Sequence, residues 1–218
     1  MGIDEVLGGE DTHSKNQEAF KLPSRLIAKV FLFRCIYRGS GWSYANDPDF
    51  MHVSTSAAFW DDMNEKFYNK YKGIDLCHKK WAQEVMAGKP IVGPLGRQWQ
   101  CNNKDKFGNT FVPWTTLTNY PVQGSGADIM MLARISAFNR IKKLNLPGKF
   151  VSTVHDSIVY DCPEEVCKEV AEIFHAAFAN IPTTIAKLYG YKWYVPMTAE
   201  CKIGKNMKEM SKFLWKGI

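Results

Sequence analysis

The chain has 218 residues, of which 45% are hydrophobic and 23% charged, which is the composition of a folded globular protein rather than of a disordered one. No stretch approaches about 18 uninterrupted apolar residues, so the sequence offers no candidate membrane span. The 28 basic and 22 acidic residues leave a net charge of +6, which is compatible with a polyanionic partner but does not establish one. The six cysteines form no C-x-x-C pair, which disfavours a zinc site and favours a reducing compartment, so we expect the cytoplasm.

The first half of the chain is predicted to be mostly helical. Asp11 is a suitable N-cap for a short helix over 11–20, and Ser24 is a suitable N-cap for a second helix that ends at Gly39-Ser40-Gly41. The other elements predicted in this half are helices over 54–72 and 74–87, followed by a loop or short hairpin over the Gly-, Pro- and Asn-rich residues 88–112.

The second half mixes helical and strand patterns. Gly124-Ser125-Gly126 leads into a predicted helix over about 126–143, with an apolar face that includes Ile129, Leu132, Ile135 and Ile141. The remaining predictions are a β-hairpin over 151–162 with His155-Asp156-Ser157 at its tip, a helix from Glu164 to Asn180, β structure over 193–204 and a closing helix over 205–216. This order of elements indicates an α+β fold.

One helix face in the first half carries a pattern suited to a nucleotide. Arg25, Lys29, Phe33 and Tyr37 are four residues apart, so they drift by only about 40° per step and share a broad face. The two cations lie nearest the helix N-terminus, where positive charge and the helix dipole favour phosphate, and the two rings further along suit a sugar and a base. The alternative is an ordinary amphipathic helix with both rings in the core, and the pattern on its own favours that alternative.

Two further groups of polar residues suggest chemistry, and each has a plainer explanation. Asp156, at the tip of the predicted hairpin, could hold a divalent metal, or could simply hydrogen-bond its own backbone in a turn. The amides of Asn119 and Gln123 could contact minor-groove acceptors of a duplex, or could cap a helix and form a turn.

Four motifs follow one another along the chain: Asp11-Thr12-His13, Arg25-x3-Lys29-x3-Phe33-x3-Tyr37-x-Gly39, Gln123-Gly-Ser-Gly-Ala-Asp128 and Val154-His155-Asp156. In this order and spacing, they resemble the C-terminal part of a family A, DNA polymerase I-like, DNA polymerase. The resemblance runs from about residue 9 to the end and is weakest over 42–112. It implies a helical fingers subdomain over 1–118 and, over 119–218, part of a palm subdomain with a partial antiparallel sheet and a catalytic β-hairpin.

The resemblance also implies roles for individual residues. Arg25 and Lys29 are expected to bind the triphosphate of the incoming dNTP with help from His13, while Phe33 lies against its sugar and Tyr37 lies at the nascent base pair. The residues expected to contact DNA are Arg97, Asn119, Gln123 and His155. The residues expected to take part in catalysis are Lys29, His155 and Asp156, with Asp156 binding two Mg²⁺ ions at the assembled site.

The sequence departs from the family pattern at several positions. Ser157 stands where a Glu is common, which removes one carboxylate near the expected metals. Arg34 and Cys35 follow Phe33 where a Gly is usual, and Arg38 adds a residue between Tyr37 and Gly39, so that a further cation of the fingers could contact template phosphate. Thr115 stands where an Arg is frequent.

The largest departure is a missing carboxylate. Family A enzymes carry another essential Asp about two dozen residues before the Asp-x-His motif, whereas only ten residues precede Asp11, and Asp4 has neither the spacing nor the neighbours. Asp156 and substrate phosphates make a poor cage for two Mg²⁺ ions. We therefore expect a split, phage-type polymerase in which a larger subunit carries the missing Asp, the thumb and, where one exists, an exonuclease domain. The two subunits are expected to join through an extensive apolar interface.

The expected reaction is attack of a primer 3′-OH on the α-phosphate of a dNTP, with release of pyrophosphate and dependence on two Mg²⁺ ions. Two other classes of function stay open at this point. One is a non-catalytic nucleic-acid-binding subunit related to polymerases. The other is a metal-dependent phosphohydrolase using His155-Asp156, although that class needs further metal-binding His and Asp residues on helices.

Overall fold

The structure, a computed structural model, describes residues 11–213. The chain divides into two compact units, the first extending to Val122 and the second starting at Gln123. Each contains helices and short antiparallel strands, which confirms the α+β class. Within the described residues, no helix is both long and apolar enough to span a membrane.

The first unit begins with two helices whose starts match the sequence analysis. Helix α1 (Thr12–Ala19) is capped by Asp11, and helix α2 (Arg25–Ile36) is capped by Ser24, whose hydroxyl accepts the N–H of Ile27 at 3.2 Å. The helices that follow are α3 (Gly41–Ala45), α4 (Pro48–Met51), α5 (Ala57–Lys70) and α6 (Lys72–Met86). Helices α5 and α6 were predicted from the sequence, whereas the short helices α3 and α4 were not.

The core of the first unit is a cluster of aromatic side chains. The rings of Tyr44 and Trp60 stack at 5.2 Å, and Phe31 and Phe50 pack against them edge-on or tilted. All four side chains are fully buried. These contacts join α2, α3, α4 and α5 and fix the buried face of α2, so that its opposite face is presented to solvent.

Residues 91–110 confirm the predicted short hairpin. Strands β1 (Ile91–Val92) and β2 (Gln98–Trp99) pair antiparallel, and an isolated bridge joins Lys104 to Thr110. Ile91 is buried in a small cluster with Val85, Cys101 and Leu117. This cluster anchors the otherwise irregular segment to the end of α6 and to the helix that follows.

Helix α7 (Trp114–Lys143) starts well before the predicted residue 126 and contains Pro121 in its interior. Pro121 lacks the backbone N–H that forms the hydrogen bond of a helix interior, and the glycines that follow have low helix propensity. The local sequence therefore predicted a loop before residue 126. The predicted apolar face was also partly wrong, because Ile135 is 49% exposed. The residues buried at four-residue spacing are Ile129, Ala133, Ala137 and Ile141.

The second unit contains a two-stranded hairpin, two helices and a terminal strand pair. Strands β3 (Lys149–Val154) and β4 (Ser157–Asp161) pair antiparallel with an irregularity between Phe150 and Ser152. Phe150, Tyr160 and Phe174 pack together beside the buried cluster around Ile141. After a 3₁₀ turn (Glu164–Val166), the remaining elements are α8 (Cys167–Ala179), α9 (Ile181–Tyr189), β5 (Lys202–Gly204) and β6 (Met210–Lys212).

The end of the described chain corrects two predictions. The β structure predicted over 193–204 is limited to β5 at Lys202–Gly204. The predicted helix over 205–216 is wrong within the described residues, because β6 pairs with β5 instead. The side chain of Asn206 accepts the backbone N–H groups of Lys208 and Glu209, each at 3.0 Å, and this local bonding makes a turn in place of a helix. Residues 214–216 of that prediction lie outside the described residues.

Candidate functional site

Helix α2 exposes the side chains that the sequence analysis assigned to a nucleotide. Arg25 and Lys29 are exposed and Phe33 is 45% exposed, while Tyr37 is half-buried at the C-cap. The opposite face, including Phe31, is buried. The alternative in which Phe33 belongs to the core is therefore wrong, and this face of α2 is accessible to a bound molecule.

Asp11 joins α1 to α2 through Arg25. The guanidinium donates from Nε to Asp11 Oδ2 at 2.5 Å and from Nη2 to Oδ1 at 3.1 Å. The same carboxylate accepts the N–H of His13 at 3.1 Å and the hydroxyl of Ser14 at 2.7 Å. Hydrogen bonding to Arg25 and then to Ser14 holds the pKa of the Asp11 carboxyl well below its ordinary value, so this carboxylate is ionised at neutral pH.

His13 belongs to the same surface. Its ring centroid lies 6.2 Å from that of Phe33, and its Nδ1 is buried with no hydrogen-bond partner among residues 11–213. Burial, followed by the positive charges of Arg25 and Lys29, lowers the pKa of His13. The structure therefore brings together His13, Arg25, Lys29 and Phe33, four of the five residues predicted to bind a dNTP.

Arg34, one of the cations that depart from the family pattern, is occupied within the first unit. It forms an ion pair with Asp47, and its guanidinium lies over the ring of Phe50 at 4.8 Å. An arginine held in this way serves the packing of α2 on α4, and this geometry does not favour contact with template phosphate.

Arg38 is held even more firmly. Its guanidinium lies 4.6 Å from the ring centroid of Tyr68 and 4.4 Å from that of Trp114, and it donates from Nη2 to Asp75 at 3.1 Å and from Nε to His78 at 3.4 Å. Its side chain is 25% exposed. These contacts tie the end of α2 to α5, α6 and the start of α7, so Arg38 is also poorly placed to reach a template.

The backbone conformation of Arg38 accommodates this additional residue between Tyr37 and Gly39. The N–H of Arg38 donates to Cys35 O at 3.1 Å and the N–H of Gly39 donates to Arg34 O at 2.8 Å, which is a Schellman ending. Arg38 occupies the left-handed position of this ending with φ of 60°. Glycine is the usual residue at such a position because a side chain there is strained.

A groove of about 610 Å³ lies beside the start of α7. Its walls combine aromatic faces with amide and hydroxyl groups, a mixture that suits stacking on and hydrogen bonding to nucleobases. The residues that give it this character are Gln100, Asn102, Phe111, Trp114, Thr115 and Tyr120. Of these residues, only Thr115 was noted from the sequence. The concentration of aromatic residues over 111–120 could have indicated the groove.

The predicted DNA-contacting residues lie on different elements. Asn119 and Gln123 are within α7 rather than at its start, four residues apart and hence on one side of the helix. Arg97 is exposed just before β2. Contact of any of these residues with DNA stays a prediction.

The second unit presents Asp156 at the tip of the β3–β4 hairpin. Asp156 and His155 are both exposed, and His155 adopts a left-handed backbone with φ of 51°. Ser157 begins β4 and donates its hydroxyl to Val154 O at 2.8 Å. Asp156 offers the hard oxygen ligands that Mg²⁺ prefers, but residues 11–213 contain no group of three or more His, Cys, Asp or Glu side chains able to hold a metal. The described residues therefore do not by themselves fit a two-metal site, and they do not support a phosphohydrolase site either.

Comparison with known proteins gives a consistent result for the chain. The family model described as DNA polymerase family A matches residues 9–209. DNA polymerase I of Aquifex aeolicus is 26% identical over 196 residues, which are 85% of this chain and 32% of that protein. The DNA polymerase of Bacillus phage SP01 is 33% identical over 185 residues, which are 84% of this chain and 20% of that protein. The chain thus spans a third or less of the length of these relatives.

A solved structure has a similar fold. The POL domain of Pol1 from M. smegmatis, in complex with DNA primer-template and dNTP, aligns with a TM-score of 0.73 and 22% sequence identity. The alignment covers 89% of this chain and 34% of that structure. At this level of identity, the likeness concerns the fold.

Proposed function

Because the chain belongs to DNA polymerase family A, we propose that it is the part of a template-directed DNA polymerase that binds the incoming dNTP and supplies one carboxylate of the catalytic centre. The observation that carries the proposal is the exposed face of α2, where Arg25, Lys29 and Phe33 lie together with His13. In this proposal, the first unit corresponds to the fingers and the second to part of the palm.

The face of α2 can bind a nucleoside triphosphate along its length. The guanidinium of Arg25 and the ammonium of Lys29 are positioned to neutralise β- and γ-phosphate oxygens, and they stabilise the charge that develops on leaving pyrophosphate. The exposed ring of Phe33 provides an apolar surface for the deoxyribose, and Tyr37 at the C-cap faces the base. Two cations at one end and two rings at the other define the orientation of the bound nucleotide.

DNA is proposed to contact the chain through α7, the 91–112 segment and the hairpin tip. The amides of Asn119 and Gln123 can donate to minor-groove acceptors, which every base pair presents, so contact there does not depend on sequence. Arg97 is suited to a backbone phosphate, and His155 is suited to the primer end. The net charge of +6 favours these contacts.

Asp156 is proposed as a ligand of catalytic Mg²⁺, which family A reactions use to neutralise phosphate charge and assist the primer hydroxyl. One exposed carboxylate is not a cage for two ions, and the described residues contain no group of three or more His, Cys, Asp or Glu side chains able to hold a metal. Further carboxylates must therefore come from outside the described part of the chain. We propose that a larger polymerase polypeptide carries them, as in the split polymerase expected from the sequence.

Primer extension by the assembled enzyme tests this function. The tagged chain is purified with its partner from its native source, and extension of a primed template is measured for Lys29→Ala and Asp156→Ala. We expect Lys29→Ala to raise the apparent KM for dNTP at least tenfold, and Asp156→Ala to abolish extension while DNA binding is retained.

Matched controls separate these effects from general damage. Lys66→Ala removes an exposed lysine from α5, and Asp161→Ala removes an exposed carboxylate from the same hairpin. Both controls should extend primers normally. Full extension by Asp156→Ala contradicts the metal assignment, and an unchanged dNTP requirement in Lys29→Ala contradicts the nucleotide face. If every variant and the wild type bind DNA without extending it, the chain is instead a non-catalytic polymerase-like subunit.

A further inference from the structure

The ion pair between Asp11 and Arg25 uses one edge of the guanidinium and leaves the other available. Asp11 accepts from Nε at 2.5 Å and from Nη2 at 3.1 Å. These two nitrogens form the side edge of the planar guanidinium, and Nη1 and Nη2 form its end edge. A guanidinium has five N–H donors, so Nη1 and the second hydrogen of Nη2 remain along the end edge. Within residues 11–213, Nη1 makes no hydrogen bond. The end edge has the spacing that binds two phosphate oxygens.

Asp11 is itself held in place on its other side. It caps α1 by accepting the N–H of His13, and it also accepts the hydroxyl of Ser14. Its two oxygens thus receive four donors, two from α1 and two from α2. The carboxylate fixes the direction of Arg25, and through the same cap it fixes the turn of helix that carries His13.

We propose that Asp11 is a positioning residue for triphosphate binding, which holds Arg25 by its side edge so that the end edge faces a phosphate of the incoming nucleotide. This inference rests on the proposed function and adds to it a residue that does not touch the nucleotide. A free arginine side chain loses its rotational freedom when it binds an anion, whereas Arg25 has already lost it. Asp11 therefore improves binding although its own charge repels phosphate.

The two opposing effects of Asp11 make the inference testable by a double-mutant cycle. Binding of dGTP is measured by calorimetry at constant ionic strength for the full chain, for Asp11→Asn, for Arg25→Ala and for the double variant, with deoxyguanosine as the phosphate-free comparison. Asparagine keeps an oxygen that caps α1, so folding is retained, and the melting temperature checks this. Asp62→Asn removes the same charge from an exposed i,i+4 pair on α5 and serves as the control.

We expect Asp11→Asn to weaken dGTP binding about three- to tenfold when Arg25 is present, the cost of immobilising one long side chain. In the Arg25→Ala background, the same substitution should leave binding unchanged or tighten it, because only the repulsion is then removed. Asp62→Asn and deoxyguanosine binding should show no such effect.

Each other result overturns the inference in a distinct way. Tighter dGTP binding by Asp11→Asn alone means that Asp11 competes with phosphate for Arg25 instead of orienting it. An equal loss in both backgrounds means that Asp11 acts only through the stability of α1. No dGTP binding by the wild-type chain contradicts the proposed function itself, and the inference with it.

Discussion

Replacing Arg38 by Gly tests whether the contacts of its side chain outweigh the strain of its backbone. With φ of 60°, Arg38 adopts a left-handed conformation that costs a non-glycine residue about 1 kcal/mol, and glycine removes that cost. The substitution also removes the cation–π contacts with Tyr68 and Trp114, at 4.6 and 4.4 Å, each contributing about 1 kcal/mol when partly desolvated. It leaves Asp75 and His78 without the guanidinium, which costs about 1–2 kcal/mol more.

The balance predicts that Arg38→Gly lowers the free energy of unfolding by about 2–3 kcal/mol. Arg38→Ala keeps the strained backbone and loses the same contacts, so it should be less stable than Arg38→Gly by about 1 kcal/mol. Urea unfolding followed by tryptophan fluorescence measures both differences, and Trp114 lies directly against the altered side chain.

Lys21 provides a matched control for the strain alone. It occupies the corresponding position at the end of α1, with φ of 53° and the same pair of backbone hydrogen bonds, from Lys21 N to Glu18 O and from Leu22 N to Gln17 O. Its side chain is exposed. Lys21→Gly should therefore raise stability. If Arg38→Gly is at least as stable as the wild type, the contacts of Arg38 are weaker than the strain and the reasoning is refuted.

Two further predictions concern the same unit. Burial, followed by the charge of Arg38, lowers the pKa of His78 from 6.5 to about 4. Between these two pH values, His78 is therefore mostly protonated in the unfolded chain and mostly neutral in the folded chain. The stabilisation that neutral His78 provides is fully present above pH 6.5 and decreases by at most about 3 kcal/mol as the pH falls to 4. In urea unfolding measured against pH, His78→Gln should show a smaller decrease over this range. The same decrease in the variant and in the wild type would contradict the assignment to His78. Gly41→Ala should lower the melting temperature, because a Cβ there would lie 2.3 Å from the carbonyl oxygen of Ala57, and an unaltered melting temperature would show that α5 can shift.

Local signals were sufficient to predict much of the fold. Asp11 and Ser24 cap the helices they were expected to cap, because an N-cap needs only a side-chain oxygen and the next two or three residues. The β3–β4 hairpin also follows from its own alternation and tip. The start of α7 could not be predicted in this way, since Pro121 opposes a helix locally while burial of Leu117 and Thr118 favours it.

The candidate site could likewise be predicted only where local sequence determines it. The shared face of Arg25, Lys29 and Phe33 follows from helical spacing, and the resemblance to polymerases gave it a meaning. The exposure of this face depends on which residues of α2 pack into the aromatic core. The spacing pattern on its own favoured burial of the two rings instead. The pairing of Asp11 with Arg25, fourteen residues apart, is a tertiary contact that no periodicity indicates.

The two ends of α2 are anchored in different ways, and this bears on how the helix could respond to a nucleotide. At the C-terminal end, Arg38 is enclosed by two rings, and the hydroxyl of Tyr68 donates to Cys35 O at 2.6 Å. At the N-terminal end, Ile27 and Ala28 are buried in the same core cluster as Phe20, and the exposed pair of Asp11 and Arg25 adds little to stability. In the proposed function, the triphosphate binds at this N-terminal end. Translation of the whole helix on binding would break the Arg38 contacts, and a tilt about its C-terminal end would have to move Ile27 and Ala28 within the core.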